Sequence, residues 1–271
     1  MTAYELTIKT NHHLIKGGGL TDVQKANVVR QLLAARSDEK AKKHFYKGMN
    51  YQNNIDKNGD VIGTYPGYYI PPYNNGRKLQ TVIPMSPKTQ ILASNAYELD
   101  ILRLLYLFAP ERPDVKEMAE GTFKRLKNSC PGGDCFQGEC FHSSLPVLRF
   151  FAAAKTNDKQ WIKRLVVKIG KHIDDKRKCN GGTVGYYWLC LSELPLDVAE
   201  PELLRYKDAM YARLTKSLPV KGENDKTNNP VLFCVLRNCL SRLSEYAYLA
   251  ERQPYVNEED GRLYFDAGVL R

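Results

Sequence analysis

Apolar residues recur along the second part of the chain with the spacing of helices. Between residues 91 and 251, stretches with an apolar residue every three or four positions alternate with stretches that are apolar on nearly every side. Gly, Pro and Asn residues separate these stretches. The pattern predicts a succession of helices, of which the first lies in ILASNAYELDILRLLYLF, immediately after residue 90.

The stretches that are apolar all round begin near residues 95, 142, 183 and 229, which are 41 to 47 residues apart. A helix that is apolar on every side must be covered on every side, whereas the amphipathic helices between them need cover on one side only. A repeat of this length indicates stacked helical hairpins. The sequence therefore predicts an all-α fold, an α/α toroid or an open arc of helical hairpins, with an inner ring of apolar helices and an outer ring of amphipathic ones.

Two segments carry a resemblance to known proteins. GECFHSSLPVLRFFAAA (residues 138–154) and GGTVGYYWLCLSEL (residues 181–194) each have a Gly-rich beginning, then small polar residues, then an apolar helix. This arrangement resembles the hairpin units of the α/α-toroid superfamily, which includes terpenoid-cyclase and prenyltransferase-type toroids, lanthionine-forming cyclases, six-hairpin glycosidases and polysaccharide lyases. The resemblance covers residues 91–251 and implies architecture alone, because the chain lacks both the DxDD motif of terpene cyclases and an NNHSYW-like string of alginate-type lyases.

The first 90 residues differ from the rest because they are rich in loops and turns. The elements predicted there are one helix over residues 21–37, a possible small hairpin around Asn58-Gly59, a Tyr- and Pro-rich loop over residues 63–76, and a short strand within residues 1–10. The chain accordingly divides into an N-terminal extension (residues 1–90), a helical-hairpin domain (91–254) and a C-terminal tail (255–271) that contains the strand-like GRLYFDAGV.

Charge is distributed unevenly along the chain. Residues 1–180 carry 29 basic and 17 acidic side chains, whereas residues 181–271 carry 11 and 13. The densest basic stretch is DKQWIKRLVVKIGKHIDDKRK, which combines Lys and Arg with an apolar helical stripe formed by Ile162, Leu165, Val166, Ile169 and Ile173. This helix is interpreted either as a solvated outer helix or as a footprint for an anionic partner.

The chain has no features of a membrane or secreted protein. No apolar run approaches the roughly 20 residues that span a bilayer, and MTAYELTIKTNHH lacks the order of a secretory signal. We therefore expect a soluble cytoplasmic protein, no membrane association and mostly reduced cysteines. The expected ligand is a small molecule or a glycan, anionic in view of the basic balance, and a nucleic acid is not expected.

One cysteine-rich segment could bind zinc. CPGGDCFQGECFH places Cys130, Cys135, Cys140 and His142 in a Gly-rich loop, and thiolate and imidazole are the ligands that zinc prefers. The paired spacing of structural zinc sites is absent. No cofactor is favoured, and if zinc binds we expect Cys140 and His142 as ligands together with another cysteine such as Cys135.

Candidate site residues lie where the inner helices begin. In a toroid these helix starts meet at one end, where free backbone N–H groups favour an anion. Imidazole exchanges a proton near neutral pH, and a tyrosine can act as its acid partner. The catalytic candidates are His142, Tyr186, Tyr187 and Glu98, and the substrate-binding candidates are Tyr65, Tyr68, Tyr69, Tyr73, Asn95 and Asn229.

Three functional hypotheses follow from these residues. The first is a carbohydrate-active enzyme, a lyase or a hydrolase, with a Tyr-lined cavity that takes an anionic glycan. The second is a zinc-dependent toroid transferase or cyclase that uses Cys140 and His142. The third is a helical-repeat binding module without catalysis, which binds its partner along the basic helix.

Overall fold

The computed structural model describes residues 1–36, 67–68, 73–74, 77–85, 90–127, 135–154, 159–175, 181–266 and 268. The described residues are mainly helical and form nine α-helices: α1 Ala3–Ile15, α2 Asp22–Ala34, α3 Gln90–Phe108, α4 Pro113–Lys127, α5 Glu139–Ala153, α6 Lys159–Asp175, α7 Gly181–Glu193, α8 Leu196–Leu214 and α9 Glu223–Leu240. A 3-10 helix follows at Ser244–Leu249. None of these helices combines the length and the apolar character that crossing a membrane requires.

Strands are few and short in the described residues. A two-stranded antiparallel hairpin joins β1 (Tyr73–Asn74) to β2 (Arg77–Lys78). A three-stranded antiparallel sheet has the order β3 (Leu218–Pro219), β5 (Arg262–Phe265), β4 (Pro254–Asn257). The strand predicted in the C-terminal tail is confirmed as β5, whereas the hairpin predicted around Asn58-Gly59 lies outside the described residues.

The chain forms two compact units. Unit 1 consists of Met1–Thr10, Gly19–Thr81 and Met85–Asp158, and it contains α2 to α5. Unit 2 consists of Asn11–Gly18, Val82–Pro84 and Lys159–Arg271, and it contains α6 to α9 and the three-stranded sheet. The division predicted from the sequence, with boundaries after residues 90 and 254, stays a prediction.

In unit 1, α3 is the enclosed helix. It packs mainly against α5 and also against α4 and α2, and every residue from 96 to 105 is buried. Most of these residues are apolar, so their burial removes a large area from water. The expectation that an all-round apolar segment is covered on every side is confirmed here.

In unit 2, α7 packs against α9, and α8 contacts α6, α7 and α9. Close packing around α7 depends on Gly185, because a Cβ there would lie 3.0 Å from Leu232 Cδ1 and 3.1 Å from Ile83 Cγ2. The apolar stripe predicted on α6 is confirmed, since all five of its members, Ile162, Leu165, Val166, Ile169 and Ile173, are buried.

The N-terminal residues differ from the sequence prediction. A short strand was expected within residues 1–10, and one helix in the whole extension, but α1 occupies Ala3–Ile15 and precedes α2. Much of the buried side of α1 is polar and includes Thr7, Thr10, Asn11 and His12. Because hydrophobic periodicity is the main signal for a helix, a helix that buries polar residues escapes it.

Helix starts were predicted with mixed success. The helix predicted over residues 21–37 begins as α2, where Thr21 and Gln24 form a capping box. By contrast, α9 begins at Glu223, before the start near residue 229 that the sequence predicted, and α8 begins at Leu196, before Pro201. Both prolines, Pro201 and Pro230, therefore lie inside a helix, as does Pro146 in α5. A proline inside a helix lacks the N–H that would donate to the carbonyl four residues earlier. Only that hydrogen bond is lost, so helical turns can still form before the proline.

Candidate functional site

The first turn of α5 carries His142, the candidate base. Gly138 precedes the helix with a φ of 54°, a conformation that suits glycine, and no side chain caps the helix start. The imidazole of His142 is half-buried, and its ring centroid lies 5.5 Å from that of Phe141. The next residue, Ser143, is fully buried, and its Oγ has no hydrogen-bond partner among the described residues. The region thus combines a partly accessible imidazole with a helix N-terminus.

Glu98, the second catalytic candidate of unit 1, lies in α3 and is buried. Its Oε1 accepts a hydrogen bond of 2.8 Å from Nη2 of Arg125 on α4. Burial raises the pKa of the Glu98 carboxyl to about 7, although the Arg125 guanidinium opposes this shift. Glu98 can therefore exchange a proton near neutral pH, in an enclosed position.

Asp100 lies two positions after Glu98 and makes a second buried ion pair. Nη1 of Arg149 on α5 donates a hydrogen bond of 2.8 Å to its Oδ1, and both side chains are at most 2% exposed. Residues two apart on a helix point in nearly opposite directions. Glu98 therefore pairs toward α4 and Asp100 toward α5, so the two carboxylates do not form the facing pair that a glycoside hydrolase uses.

Tyr97 brings a further polar group into the interior of unit 1. Its hydroxyl is buried without a hydrogen-bond partner among the described residues, and burial raises its pKa well above the usual value. The ring packs edge-on against Tyr4 at a centroid distance of 5.3 Å. The hydroxyl of Tyr4 donates to the Gln80 carbonyl at 2.9 Å, which fixes the position of this ring.

Sequence reasoning missed the arginines of unit 1. Arg125 and Arg149 determine how Glu98 and Asp100 are held, yet neither appeared among the candidates. A signal was present for Arg149, because a single charged residue within the apolar run HSSLPVLRFFAAA needs a buried partner.

The tyrosine candidates of α7 lie in the interior of unit 2. Tyr186 and Tyr187 are fully buried, and Trp188 is 6% exposed. The Tyr187 hydroxyl lies 3.1 Å from the Val166 carbonyl and 3.0 Å from Oε2 of Glu202. Burial, together with the neighbouring Glu202 carboxylate, raises the pKa of Tyr187 well above its usual value. A catalytic role for these tyrosines stays a prediction.

The remaining substrate-binding candidates are dispersed. Tyr68 is buried in unit 1, where its hydroxyl donates to the Leu32 carbonyl at 2.9 Å, and burial raises its pKa. Asn229 is half-buried in α9 of unit 2. Tyr65 and Tyr69 lie outside the described residues. For Tyr73 in β1 and Asn95 in α3 the structure describes the backbone but not the side chain.

The described part of the chain contains no set of side chains that is arranged to bind zinc. Among those residues, no group of three His, Cys, Asp or Glu side chains is placed to hold a metal ion. Cys135, Cys140 and His142 belong to that part, whereas Cys130 lies outside it. Zinc at this segment therefore stays a hypothesis without supporting geometry.

Comparison with known proteins finds no match: no family model, no curated protein and no solved structure matches the chain. The mainly helical fold is compatible with a helical-repeat architecture.

Proposed function

We propose that the chain is an α/α helical-hairpin protein, a closed toroid or an open arc of one, and that it is an enzyme. The packing within each unit supports the hairpin arrangement. In unit 1 the enclosed α3 packs against α5, and in unit 2 α7 packs against α9, so each apolar helix contacts the next helix but one. Contacts of this kind are expected where apolar helices form an inner layer and amphipathic helices flank them.

The proposed reaction is cleavage of an anionic, uronate-containing glycan by β-elimination, with His142 as the base. His142 would remove the proton from the carbon next to the substrate carboxylate. The electron pair of that C–H bond then forms a carbon–carbon double bond, while the glycosidic C–O bond on the neighbouring carbon breaks and its oxygen takes a proton from an acid. No oxidant or reductant is needed, and the products are one unsaturated and one ordinary sugar chain.

One observation carries the choice of elimination over hydrolysis. The two carboxylates of α3 are each held by an arginine on a different helix, whereas His142 is partly accessible at a helix start. Hydrolysis by the usual mechanism needs two carboxyl groups that face one glycosidic bond. Elimination needs one base, one acid and groups that stabilise the developing negative charge, and a helix N-terminus supplies backbone N–H groups for that purpose.

Assays with a panel of polyuronates and neutral polysaccharides test this function. Elimination produces both new reducing ends and ultraviolet absorbance from the unsaturated product, whereas hydrolysis produces reducing ends alone. We expect both signals from a polyuronate, and loss of at least about two orders of magnitude in rate for His142→Gln. His13→Gln, which replaces an exposed histidine of α1, is the control and is expected to keep full activity.

Several outcomes would contradict the proposal. Reducing ends without absorbance would indicate a hydrolase, and full activity of His142→Gln would remove His142 from the mechanism. Activity that a chelator abolishes would favour the zinc-dependent alternative. Binding of a glycan without turnover of any member of the panel would favour a non-catalytic binding module.

A further inference from the structure

One side of helix α6 is exposed and basic. The five apolar residues of its stripe are buried, and the helix packs against α8. Away from this stripe lie Gln160, Arg164, Val167 and Lys171, which follow one another at intervals of three or four residues and are all exposed. Residues at these intervals share one face of a helix. We call these four residues the outer face of α6.

Positive charge runs along this face without an acidic residue until the helix ends. From Lys159 to Ile173, α6 contains five Lys and Arg residues and no Asp or Glu. Two of the five, Lys163 and Lys168, flank the outer face and are half-buried. The acidic residues of α6 are its last two, Asp174 and Asp175. An anionic ligand along the outer face therefore meets cations first.

The protein itself neutralises these cations only in part. Nζ of Lys159 and Nζ of Lys163 lie 3.5 Å and 3.9 Å from Oδ2 of Asp197 in the first turn of α8. Arg164 and Lys171 form no ion pair with any residue that the structure describes. Their charges are exposed to solvent and available to a ligand.

The basic character of α6 is local. The part of unit 2 that follows residue 180 carries 11 basic and 13 acidic side chains, so it has no positive excess. A positive surface on an otherwise slightly acidic part of the molecule attracts a polyanion to that surface in particular.

The spacing of the charges favours a polyanion of low charge density. At the rise of about 1.5 Å per residue in a helix, Arg164 and Lys171 are about 10 Å apart along the axis. Duplex DNA carries one charge per about 1.7 Å, and strongly salt-dependent binding to it takes about 6 to 10 phosphate contacts. A polyuronate carries one carboxylate per sugar. Val167, which is 45% exposed between the two cations, offers a contact for the apolar C–H groups of a sugar ring.

We propose that the outer face of α6 binds a uronate-containing polysaccharide chain. Arg164 and Lys171 would donate hydrogen bonds to its carboxylates, which a guanidinium can bind through two parallel bonds, and Val167 would contact the sugar rings between them. The class of polymer rests on the proposed function, whereas the surface itself rests on the exposure and charge of α6.

The test measures binding of polygalacturonate to the full chain by calorimetry. The chain carries His142→Gln, so that the polymer is not cleaved during the measurement. Polygalacturonate with methyl-esterified carboxylates provides the same sugar chain without the charge. We expect the charged polymer to bind and the esterified polymer to bind at least about tenfold more weakly. The affinity for the charged polymer should fall as salt is added, because salt screens exposed charges.

The double variant Arg164→Glu/Lys171→Glu, made in the same chain, reverses both charges of the outer face. We expect it to bind polygalacturonate at least about tenfold more weakly. Lys116→Glu/Lys221→Glu is the control, since it changes the net charge equally at two other exposed lysines, and its affinity should stay within about twofold. Circular dichroism verifies that each variant is folded, and Arg164→Gln/Lys171→Gln replaces the charge reversal if that variant unfolds.

Three outcomes would overturn the proposal. The first is no binding of polygalacturonate, and the second is equal affinity with and without the two cations of α6. The third is tighter binding of duplex DNA than of polygalacturonate, lost in the double variant, which would assign the surface to a nucleic acid. The elimination assay fails or succeeds separately. Cleavage together with binding that is independent of α6 refutes the surface alone, and binding that depends on α6 without cleavage refutes the elimination alone.

Discussion

Helices α3 of unit 1 and α7 of unit 2 are both enclosed and largely apolar, yet they are held in different ways. α3 buries two carboxylates, Glu98 and Asp100, each paired with an arginine of a neighbouring helix. α7 carries no charged residue in its buried stretch, and its Tyr187 hydroxyl contacts the Val166 carbonyl and the Glu202 carboxylate. Its C-terminal end is bound by Arg242, which donates 2.6 Å hydrogen bonds to the Leu191 and Leu194 carbonyls.

This difference shows that the same apolar pattern accommodates two kinds of interior. An ion pair in a low dielectric is costly to break, because removal of one partner leaves a buried charge uncompensated. A hydrogen bond with an uncharged hydroxyl or carbonyl leaves no buried charge behind when it is removed, so its loss costs less. Substitutions in the interior of unit 1 should therefore have larger and more pH-dependent effects than substitutions around α7.

The largest effect is expected for Arg149→Met. This change leaves the Asp100 carboxylate buried without the guanidinium that it contacts at 2.8 Å, and we expect a loss of about 3 to 5 kcal/mol in the free energy of unfolding. Urea unfolding measures this loss. The double variant Asp100→Asn/Arg149→Met removes both charges and should recover most of the stability. A single variant as stable as the intact chain would show that α3 is not held by this pair.

The second effect is a pH dependence from Glu98. Its pKa is about 7 in the folded chain and 4.5 when exposed, so the unfolded chain binds fewer protons between these values. The free energy of unfolding should consequently fall as pH rises through this window, by up to about 3 kcal/mol.

The variant Glu98→Gln cannot lose a proton, so urea unfolding across the same pH range isolates this contribution. We expect the curve of the variant to be flatter than that of the intact chain. If the free energy of unfolding of both proteins had the same slope against pH, the carboxyl of Glu98 would titrate alike in the folded and unfolded chain. The expected stronger pH dependence of unit 1, compared with the surroundings of α7, would then be wrong.

A smaller effect is expected at the end of α7. Arg242→Leu removes the two hydrogen bonds to the Leu191 and Leu194 carbonyls, and we expect a loss of about 2 kcal/mol in the free energy of unfolding. Arg213→Leu, an exposed arginine on α8, is the control and should change stability by less than about 0.5 kcal/mol. If Arg242→Leu lost more free energy of unfolding than Arg149→Met, unit 2 and not unit 1 would be the more sensitive to loss of a buried polar contact.

The smallest effect is expected for Tyr187→Phe. The hydroxyl contacts the Val166 carbonyl and the Glu202 carboxylate, and its removal should cost about 1 kcal/mol in thermal or urea unfolding. Glu202 keeps its ion pair with Arg205 in this variant. A cost above about 3 kcal/mol would mean that unit 2 also depends on a strongly coupled polar network.

Much of the helical pattern could be predicted from the sequence. The stripe on α6 and the enclosure of α3 followed from periodicity, because burial of apolar side chains determines which helix face turns inward. The first helix, α1, could not be predicted in this way, since its buried side contains Thr7, Thr10 and Asn11. Periodicity reports on apolar faces only.

The site was predicted only in part. The placement of His142 in the first turn of α5 agrees with the predicted helix start. The ion pairs of Glu98 and Asp100 join residues 27 and 49 positions apart, and no local spacing encodes such contacts. Tyr187 was proposed as an acid from its position in the sequence, but the side to which it points depends on the rotation of α7 against its neighbours, which only tertiary packing determines.

The proline inside α5 has a consequence for exchange of backbone amides with solvent. Pro146 has no N–H to donate to the carbonyl of His142, four residues earlier. The turn that carries His142 is therefore joined to the rest of α5 by one hydrogen bond fewer than an uninterrupted helix would provide. This turn can open locally while Phe150 and Phe151 stay packed, so the amides that precede Pro146 should exchange faster than those that follow it.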